Sequence, residues 1–471
     1  MMVVFLTACI FFQLYPTFDS YFIADDFKWL WFANNDDSVL SAAFHPSVGD
    51  WTTPVPNVIF WLSFKAFGFD PHGYYVVMAL IHLINSGLVY GLVYLVTKRV
   101  GVAFGSASIF ALHFIHFSDW GPLVWISAFV QLVVASFYLL ALGFFVRYLY
   151  FGKKYSYVGA LVCFGLALAS KETAVTLPLL LLTWCLIELP LAERRLTRIA
   201  IVLGPFWIVL GVYLLYKLMI QQTSDRYFEV GLYGFGKHLI SNWKYFSNLV
   251  MPNPGSPPVH SYLLRNFPSW TLSLAYLAAN LVRLGLVVAG ITLWWRGSEH
   301  VRLWIALSLI TYVPFIGFVG GHAGANRYFY LPTIGFSALL AAGLWWMLGR
   351  ASKQRGASVC TSLLTIIILG FWAYNLLPIR AWQKEMRENS RPIQLALYAV
   401  DNYNAKRATP VAKLYLTGFP LDQSGDLQKA IRLVYGVDTI LVDTEQKDET
   451  ELSMDTLMLM YEANRVVIRQ P

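Results

Sequence analysis

Charge is the scarcest ingredient of this 471-residue chain, in which Asp, Glu, Lys and Arg together make up 13%. Soluble globular domains carry roughly 25% charged and about 45–50% apolar residues, whereas here the apolar share is 57%. That balance excludes an ordinary soluble enzyme. The net charge of +8 does not mark a nucleic-acid binder, because Lys and Arg fall mostly in short loops between apolar stretches, where they set membrane orientation. Cysteine is also scarce. Cys9, Cys163, Cys185 and Cys360 all sit inside apolar stretches, with no metal-ligand spacing and no disulfide pattern. Leu6-Thr7-Ala8-Cys9 lacks the preceding basic residue and the apolar run of a lipoprotein signal, so it reads as part of a first spanning helix. No Asn-X-Ser/Thr sequon occurs, which favours a bacterial or archaeal cell membrane over the endoplasmic reticulum. There is no internal repeat and no low-complexity segment.

What is abundant is apolar sequence in helix-length blocks, with 16% aromatic residues to line two membrane interfaces. A bilayer core requires about 20 apolar residues per helix, since no backbone group can go unpaired there. Blocks at 2–18, 74–97, 100–117, 122–148, 155–170, 174–191, 199–220, 271–295, 301–320, 328–349 and 358–379 predict an all-α polytopic protein with about eleven transmembrane helices. Alternate short loops hold 13 basic residues: Lys98 and Arg99; Arg147, Lys153 and Lys154; Arg194, Arg195 and Arg198; Arg296 and Arg302; Arg350, Lys353 and Arg355. The short loops of the opposite set hold only Lys171 and Arg327. The rule that cytoplasmic loops are basic then places the N-terminus inside and the tail outside.

Two long loops, about 19–73 and 221–270, accordingly face outward. The first contains an amphipathic stretch from Val55 to Phe67, suited to lie along the interface. The second contains a Pro-rich turn from Met251 to Pro258 that regular helix cannot accommodate. From Arg380 onward the composition changes, with 25 of the chain's 62 charges in its last fifth. The expected division is a membrane domain over 1–385 and a small extracytoplasmic α/β domain over 386–471. The latter would contain an extended run Val411–Leu416, a helix near Leu427–Tyr435 and a strand Thr439–Val442.

Several polar residues interrupt this pattern. Asp25-Asp26 follow the first helix closely, where a carboxylate can take a proton from an incoming hydroxyl. The plain alternative is a pair of solvated acids or a helix cap. Lys171-Glu172 occupy a tight outward turn, costly for a cation unless it meets a partner or an anionic ligand; snorkelling to the interface is the bland reading. Arg327, with His322 five residues earlier, offers a planar fork for phosphate, or else pairs with an interfacial carboxylate. Arg283 falls in mid-span, a functional position by default unless that helix begins later. His113 and His116 share a helical face but lack a third ligand, so they read as satisfied interfacial histidines and no metal site is assigned. A base and two cations on one membrane face suit transfer from a lipid-phosphate donor to a hydroxyl or amine.

Four segments, in this order and on this one face, resemble the GT-C superfamily of membrane glycosyltransferases. The likeness is to the protein O-mannosyltransferase-like branch with TPR-containing relatives. They are Asp25-Asp26 with Asn34-Asn35; Phe67-Gly68-Phe69-Asp70-Pro71-His72-Gly73-Tyr74 running into His82-Leu83-Ile84-Asn85; Ala111 to His116 with Val124-Trp125-Ile126-Ser127 and Ser170-Lys171-Glu172-Thr173; and Asn326-Arg327-Tyr328-Phe329-Tyr330-Leu331-Pro332 with Gly335-Phe336. The likeness covers about 19–190 and 322–390. It implies inverting transfer from a polyprenyl-phosphate-linked sugar to a protein, glycan or lipid acceptor on the extracytoplasmic face. The base would be Asp25, or Asp26, and the lipid phosphate would lie near Lys171 and Arg327. It leaves open whether a divalent cation assists. The chain departs from the branch in having no TPR repeats, Thr53-Pro54 in place of Arg-Pro, and no matching 221–270 loop. Rival readings are a transporter or flippase for a lipid-linked or anionic substrate, and an inactive relative that acts as an assembly partner. Against the transporter, no inverted repeat or pair of broken helices is seen.

Overall fold

A computed structural model describes residues 2–46, 52–118, 120–188, 196–220, 248–251, 254, 257–315, 326–351, 357–405, 413–417, 421–435, 439–441, 456–462 and 465–469. Helix α1 (Met2–Leu14) runs into a 3-10 turn, Tyr15–Asp19. The first long loop is itself helical, with α2 (Asp26–Asn35), α3 (Val39–Phe44) and α4 (Pro54–Phe67). Then follow α5 (Pro71–Thr97), α6 (Val100–Ala111), α7 (Val130–Phe151), α8 (Lys154–Leu168), α9 (Leu177–Glu188) and α10 (Leu196–Ile220). The second half contains α11 (Pro257–Asn266), α12 (Trp270–Arg296), α13 (Glu299–Ile310), α14 (Pro332–Ala351) and α15 (Ala357–Asn404).

Local chemistry sets several of these boundaries. Asp70 accepts the backbone N–H of His72 at 3.1 Å, and Pro71 occupies the first helical position, where its missing N–H costs nothing. Gly68 and Gly152 end α4 and α7 with φ of +55° and +64°, conformations that a Cβ would strain.

Five helical segments among the described residues are long and apolar enough to cross a membrane: Pro71–Thr97, Ile126–Phe151, Leu196–Met219, Trp270–Arg296 and Pro332–Arg350. Val100–His116 and Lys154–Leu168 are apolar but shorter. The core forms where α5, α6, α7 and α8 pack together and α14 packs against α6 and α13. On α12, Leu277, Leu281, Leu284, Val288 and Ile291 form one exposed stripe. Such a stripe is unfavourable in water and at home against lipid tails. Gly335 of α14 meets the backbone of α13 so closely that a Cβ would run into the Trp304 carbonyl and the Ser308 hydroxyl, the close approach that small residues allow.

Helix α15 continues unbroken past residue 385 and past Pro378 and Pro392. Beyond it lie β1 (Lys413–Thr417), α16 (Leu421–Tyr435), β2 (Thr439–Leu441), β3 (Thr456–Glu462) and β4 (Arg465–Arg469). The strand order is β2-β1-β3-β4. β1 is parallel to both neighbours, with Tyr415 opposite Ile440 and Met458, and β3–β4 is an antiparallel hairpin. Leu427, Ala430 and Ile431 of α16 are buried. α16 packs on α15 and on α2, so the tail touches the first loop where the acidic pair begins.

Candidate functional site

The acidic pair sits on a sharply turned backbone. Ile23 to Asp26 close a turn in which the Asp26 N–H donates to Ile23 O at 3.0 Å and the Ile23 N–H donates to Asp26 Oδ2 at 3.0 Å. Ala24 within it has φ +50°, a left-handed conformation that costs an Ala roughly 1–2 kcal/mol. The two carboxylates diverge from there. Asp26 is 1% exposed, and its Oδ1 accepts the Ser127 N–H at 2.7 Å and the Ser127 hydroxyl. Burial pushes its pKa up to about 7 against those lowering hydrogen bonds, with the Asp25 charge adding to the rise. Asp25 is half-buried, heads α2, and does not cap it with its side chain. Asp26 thus ties the first loop to the start of α7, while Asp25 stays half-exposed.

Arg327 comes to the same wall. Its guanidinium lies 4.9 Å from the centre of the Trp125 ring and 4.6 Å from that of Tyr328, and donates to the Tyr328 hydroxyl at 3.1 Å. The residues around it explain why it is presented. Asn326 is buried and donates to Ser118 O and Oγ at 3.1 and 3.2 Å. Tyr330 is buried in a polar chain with His82 and Asn85. Anchored on both sides, Arg327 stays half-exposed. Trp120, whose φ is +57°, packs edge-on against Trp125 at 4.9 Å and Trp382 at 6.1 Å. Trp125 and Trp382 pack with Ile23, Val124, Ala128 and Met386, against Ala24. Both of their indole nitrogens are buried without a hydrogen-bond partner among the described residues.

The remaining sequence candidates divide. Lys171 and Glu172 are half-exposed, beside the first loop, where the Val55 N–H donates to Ala169 O at 3.2 Å. The 3-10 turn Glu172–Thr176 touches Val313–Phe315, and Phe315 stacks on Tyr328 at 4.3 Å, which links this turn to the Arg327 wall. His322 lies outside the described residues. Arg283 is buried in the middle of an unbroken α12 and donates to Asn280 Oδ1 at 2.5 Å. His113 is engaged, its Nε2 at 3.0 Å from Leu249 O and its Nδ1 accepting the Ile115 N–H at 3.3 Å. His116 is fully buried between the rings of His82 and Tyr330. No group of three or more His, Cys, Asp and Glu side chains among the described residues is arranged to hold a metal ion.

The His82 chain assigns its own proton positions. His82 Nε2 faces Ala111 O at 3.0 Å, a carbonyl that can only accept, so Nε2 carries the proton. Nδ1 must then accept from the Tyr330 hydroxyl at 2.7 Å, and that oxygen accepts from Asn85 Nδ2 at 3.1 Å. Asn85 Nδ2 also donates to Leu132 O at 2.9 Å, and Ser136 donates to Asn85 Oδ1 at 2.7 Å. This lock fastens α5, α6 and α7 to the Arg327 segment. His82 and Asn85 entered the sequence reading only as motif letters, and Trp120 and Trp382 did not enter at all. Their spacing along the chain holds no local signal of the contacts they make.

Comparison with known proteins adds independent observations. Residues 45–217 match the family described as dolichyl-phosphate-mannose-protein mannosyltransferase. That range contains Trp125, Ser127, Lys171 and Glu172 but not Asp25, Asp26 or Arg327. No curated protein matches the chain. Among solved structures, the fold is similar to ArnT from Cupriavidus metallidurans in the apo state. The TM-score is 0.52 at 12% identity over 95% of this chain and 86% of that one. Both the family match over part of the chain and the shared fold agree with the GT-C likeness of the sequence motifs. ArnT from the same organism bound to undecaprenyl phosphate gives a TM-score of 0.47 at 12% identity, over 94% of this chain and 86% of that one. With five helical segments long and apolar enough to cross a membrane among the described residues, the chain is an integral membrane protein.

Proposed function

We propose that this protein transfers a sugar from a polyprenyl-phosphate-linked donor to an acceptor hydroxyl on the extracytoplasmic face, with inversion at C1. The observation that carries the reading is the half-exposed cation Arg327 stacked on Trp125, in an aromatic cluster that also packs Ala24, the residue before the half-exposed carboxylate Asp25. The donor class follows the matched family's description, which names a dolichyl-phosphate sugar.

The chemistry assigns each group a task. An Asp25 oxygen takes the proton of the acceptor hydroxyl, whose oxygen forms the new bond to C1. The bonding pair of the C1–O bond departs with the lipid phosphate, and a single displacement inverts the centre. The growing charge on that phosphate falls to Arg327, held rigidly by Asn326, Trp125 and Tyr328, with Lys171 and His322 as further cations and donors. The unpartnered Trp125 indole N–H is a donor for a phosphate or sugar oxygen beside it. The donor's lipid tail enters laterally between helices from the outer leaflet. The membrane part extends over about 1–385, and the segment after it faces outward as a small α/β unit.

The test uses purified protein with a panel of polyprenyl-phosphate hexoses and extracytoplasmic acceptor extract. Transfer by the wild type that vanishes in a folded Asp25→Asn variant is the expected result. Full activity in Asp25→Asn would remove Asp25 from the mechanism, and no product with any donor would overturn the transferase reading.

A further inference from the structure

Helix α15 passes directly beside the loop that carries the acidic pair, and two of its faces engage that loop. Arg380, Gln383, Arg387 and Ser390 recur at helical spacing along one face. Pro16 has no N–H to close onto Phe12 O, so the end of α1 is short of donors. Arg380 supplies them, with one nitrogen 3.0 Å from Phe12 O and the other 3.4 Å from Gln13 O. Gln383 Nε2 donates to Gln13 O at 2.6 Å and to Thr17 Oγ1 at 2.9 Å, and its Oε1 accepts from Arg380 at 3.0 Å. Arg387 reaches Asp19 at 3.4 Å, and Ser390 Oγ accepts the Tyr21 N–H at 2.9 Å. Every few residues from Phe12 to Tyr21, α15 holds a backbone or side-chain atom of this segment.

The neighbouring face continues the contact to the site itself. Trp382 and Met386, one turn apart, pack on Ile23, Ala24, Trp120 and Trp125. Ala24 is the residue with φ +50°, immediately before Asp25. A non-glycine residue persists in that conformation only where its surroundings over-determine it. On one side the Asp26–Ser127 bonds do so, and on the other the apolar cluster that includes Trp382 and Trp125.

We propose that residues 380–390 of α15 are a positioning element for Asp25. Gln383 and Arg380 fix the root of the loop, and Trp382 holds the strained Ala24 from which Asp25 projects. This rests on Asp25 being the base. It also makes a segment outside the family match at 45–217 a requirement of the reaction.

The experiment compares the full-length wild type with Gln383→Leu, Trp382→Ala and Trp382→Phe, each purified as folded protein. The readouts are transfer from a polyprenyl-phosphate hexose and amide hydrogen exchange over residues 12–27. Gln383→Leu and Trp382→Ala are expected to lower kcat by about 10- to 100-fold with donor KM nearly unchanged, as misplacement of a reacting group does. Exchange over 12–27 rises in both, and the acid limb of the pH–kcat profile moves in Trp382→Ala. Trp382→Phe, which keeps a ring on Ala24, recovers most of the rate. Folded Gln383→Leu and Trp382→Ala whose kcat stays within about twofold of wild type would overturn the proposal, as would exchange that does not change. If Trp382→Ala fails to fold, Gln383→Leu and Trp382→Phe decide between these outcomes. If the wild type transfers nothing, the functional reading falls separately, while hydrogen exchange still reports whether α15 holds the loop.

Discussion

Asp26 offers a quantitative test of the site because its proton reports its surroundings. The perturbation is Asp26→Asn, with stability followed from pH 4 to pH 8. Burial raises the Asp26 pKa from an ordinary 3.8 to about 7, so the folded protein keeps a proton that the unfolded chain gives up. Between those values the folded state binds more protons, and stability falls as pH rises. The interval corresponds to about 4 kcal/mol, complete only above pH 7. Asn cannot titrate, so the variant lacks this slope. It also turns an amide N–H₂ toward the Ile23 N–H or the Ser127 donors, a pH-independent loss of about 1–3 kcal/mol. The wild type therefore exceeds Asp26→Asn by most at pH 4, and the gap shrinks and then reverses toward pH 8. Tryptophan-monitored unfolding of both proteins in detergent, at matched pH, measures the difference directly. A gap that is constant across the range would refute the raised pKa and, with it, the assignment of Asp26 as a dry structural tie.

Three further perturbations separate chemistry from packing. Arg327→Ala is expected to lower kcat by about a hundredfold, as loss of one donor to a developing oxyanion does; Arg327→Lys keeps the charge but not the planar stack on Trp125, and recovers only part of the rate in the same transfer assay. Tyr330→Phe leaves His82 Nδ1 without its donor and costs about 1–3 kcal/mol in thermal unfolding, with the specific activity of the folded fraction retained. Gly335→Ala forces a Cβ into the Trp304 carbonyl and destabilises by about 1–3 kcal/mol or more; Gly285→Ala, which meets nothing within 4 Å, instead gains about 0.5–1 kcal/mol of helix preference.

The parts of this protein that were legible in its sequence are those set by local rules. Apolar blocks become helices because the bilayer leaves the backbone no other partner, and Asp70-Pro71 starts α5 because a cap and a missing N–H are sufficient cues. In the tail, β1, α16 and β2 overlap the segments 411–416, 427–435 and 439–442, with α16 starting six residues earlier, and the β3–β4 hairpin was not anticipated. The composition changes at Arg380, where α15 runs straight on, because its polar residues are spent on the loop after α1: Arg380 and Gln383 bond the carbonyls that Pro16 leaves open. A rise in charge therefore marks both the approach of a water-exposed segment and a set of contacts made 366–370 residues away in sequence. The same limit applies to the acidic pair. Adjacent in sequence, Asp25 and Asp26 look interchangeable, and only the distant Ser127 separates them, by taking one carboxylate into the interior. A turn that buries one member of such a pair must direct its neighbour elsewhere, and the left-handed Ala24 before it is the mark of that constraint. Asp26 thus holds the loop to α7, and Asp25, left half-exposed, is the member of the pair proposed as the base.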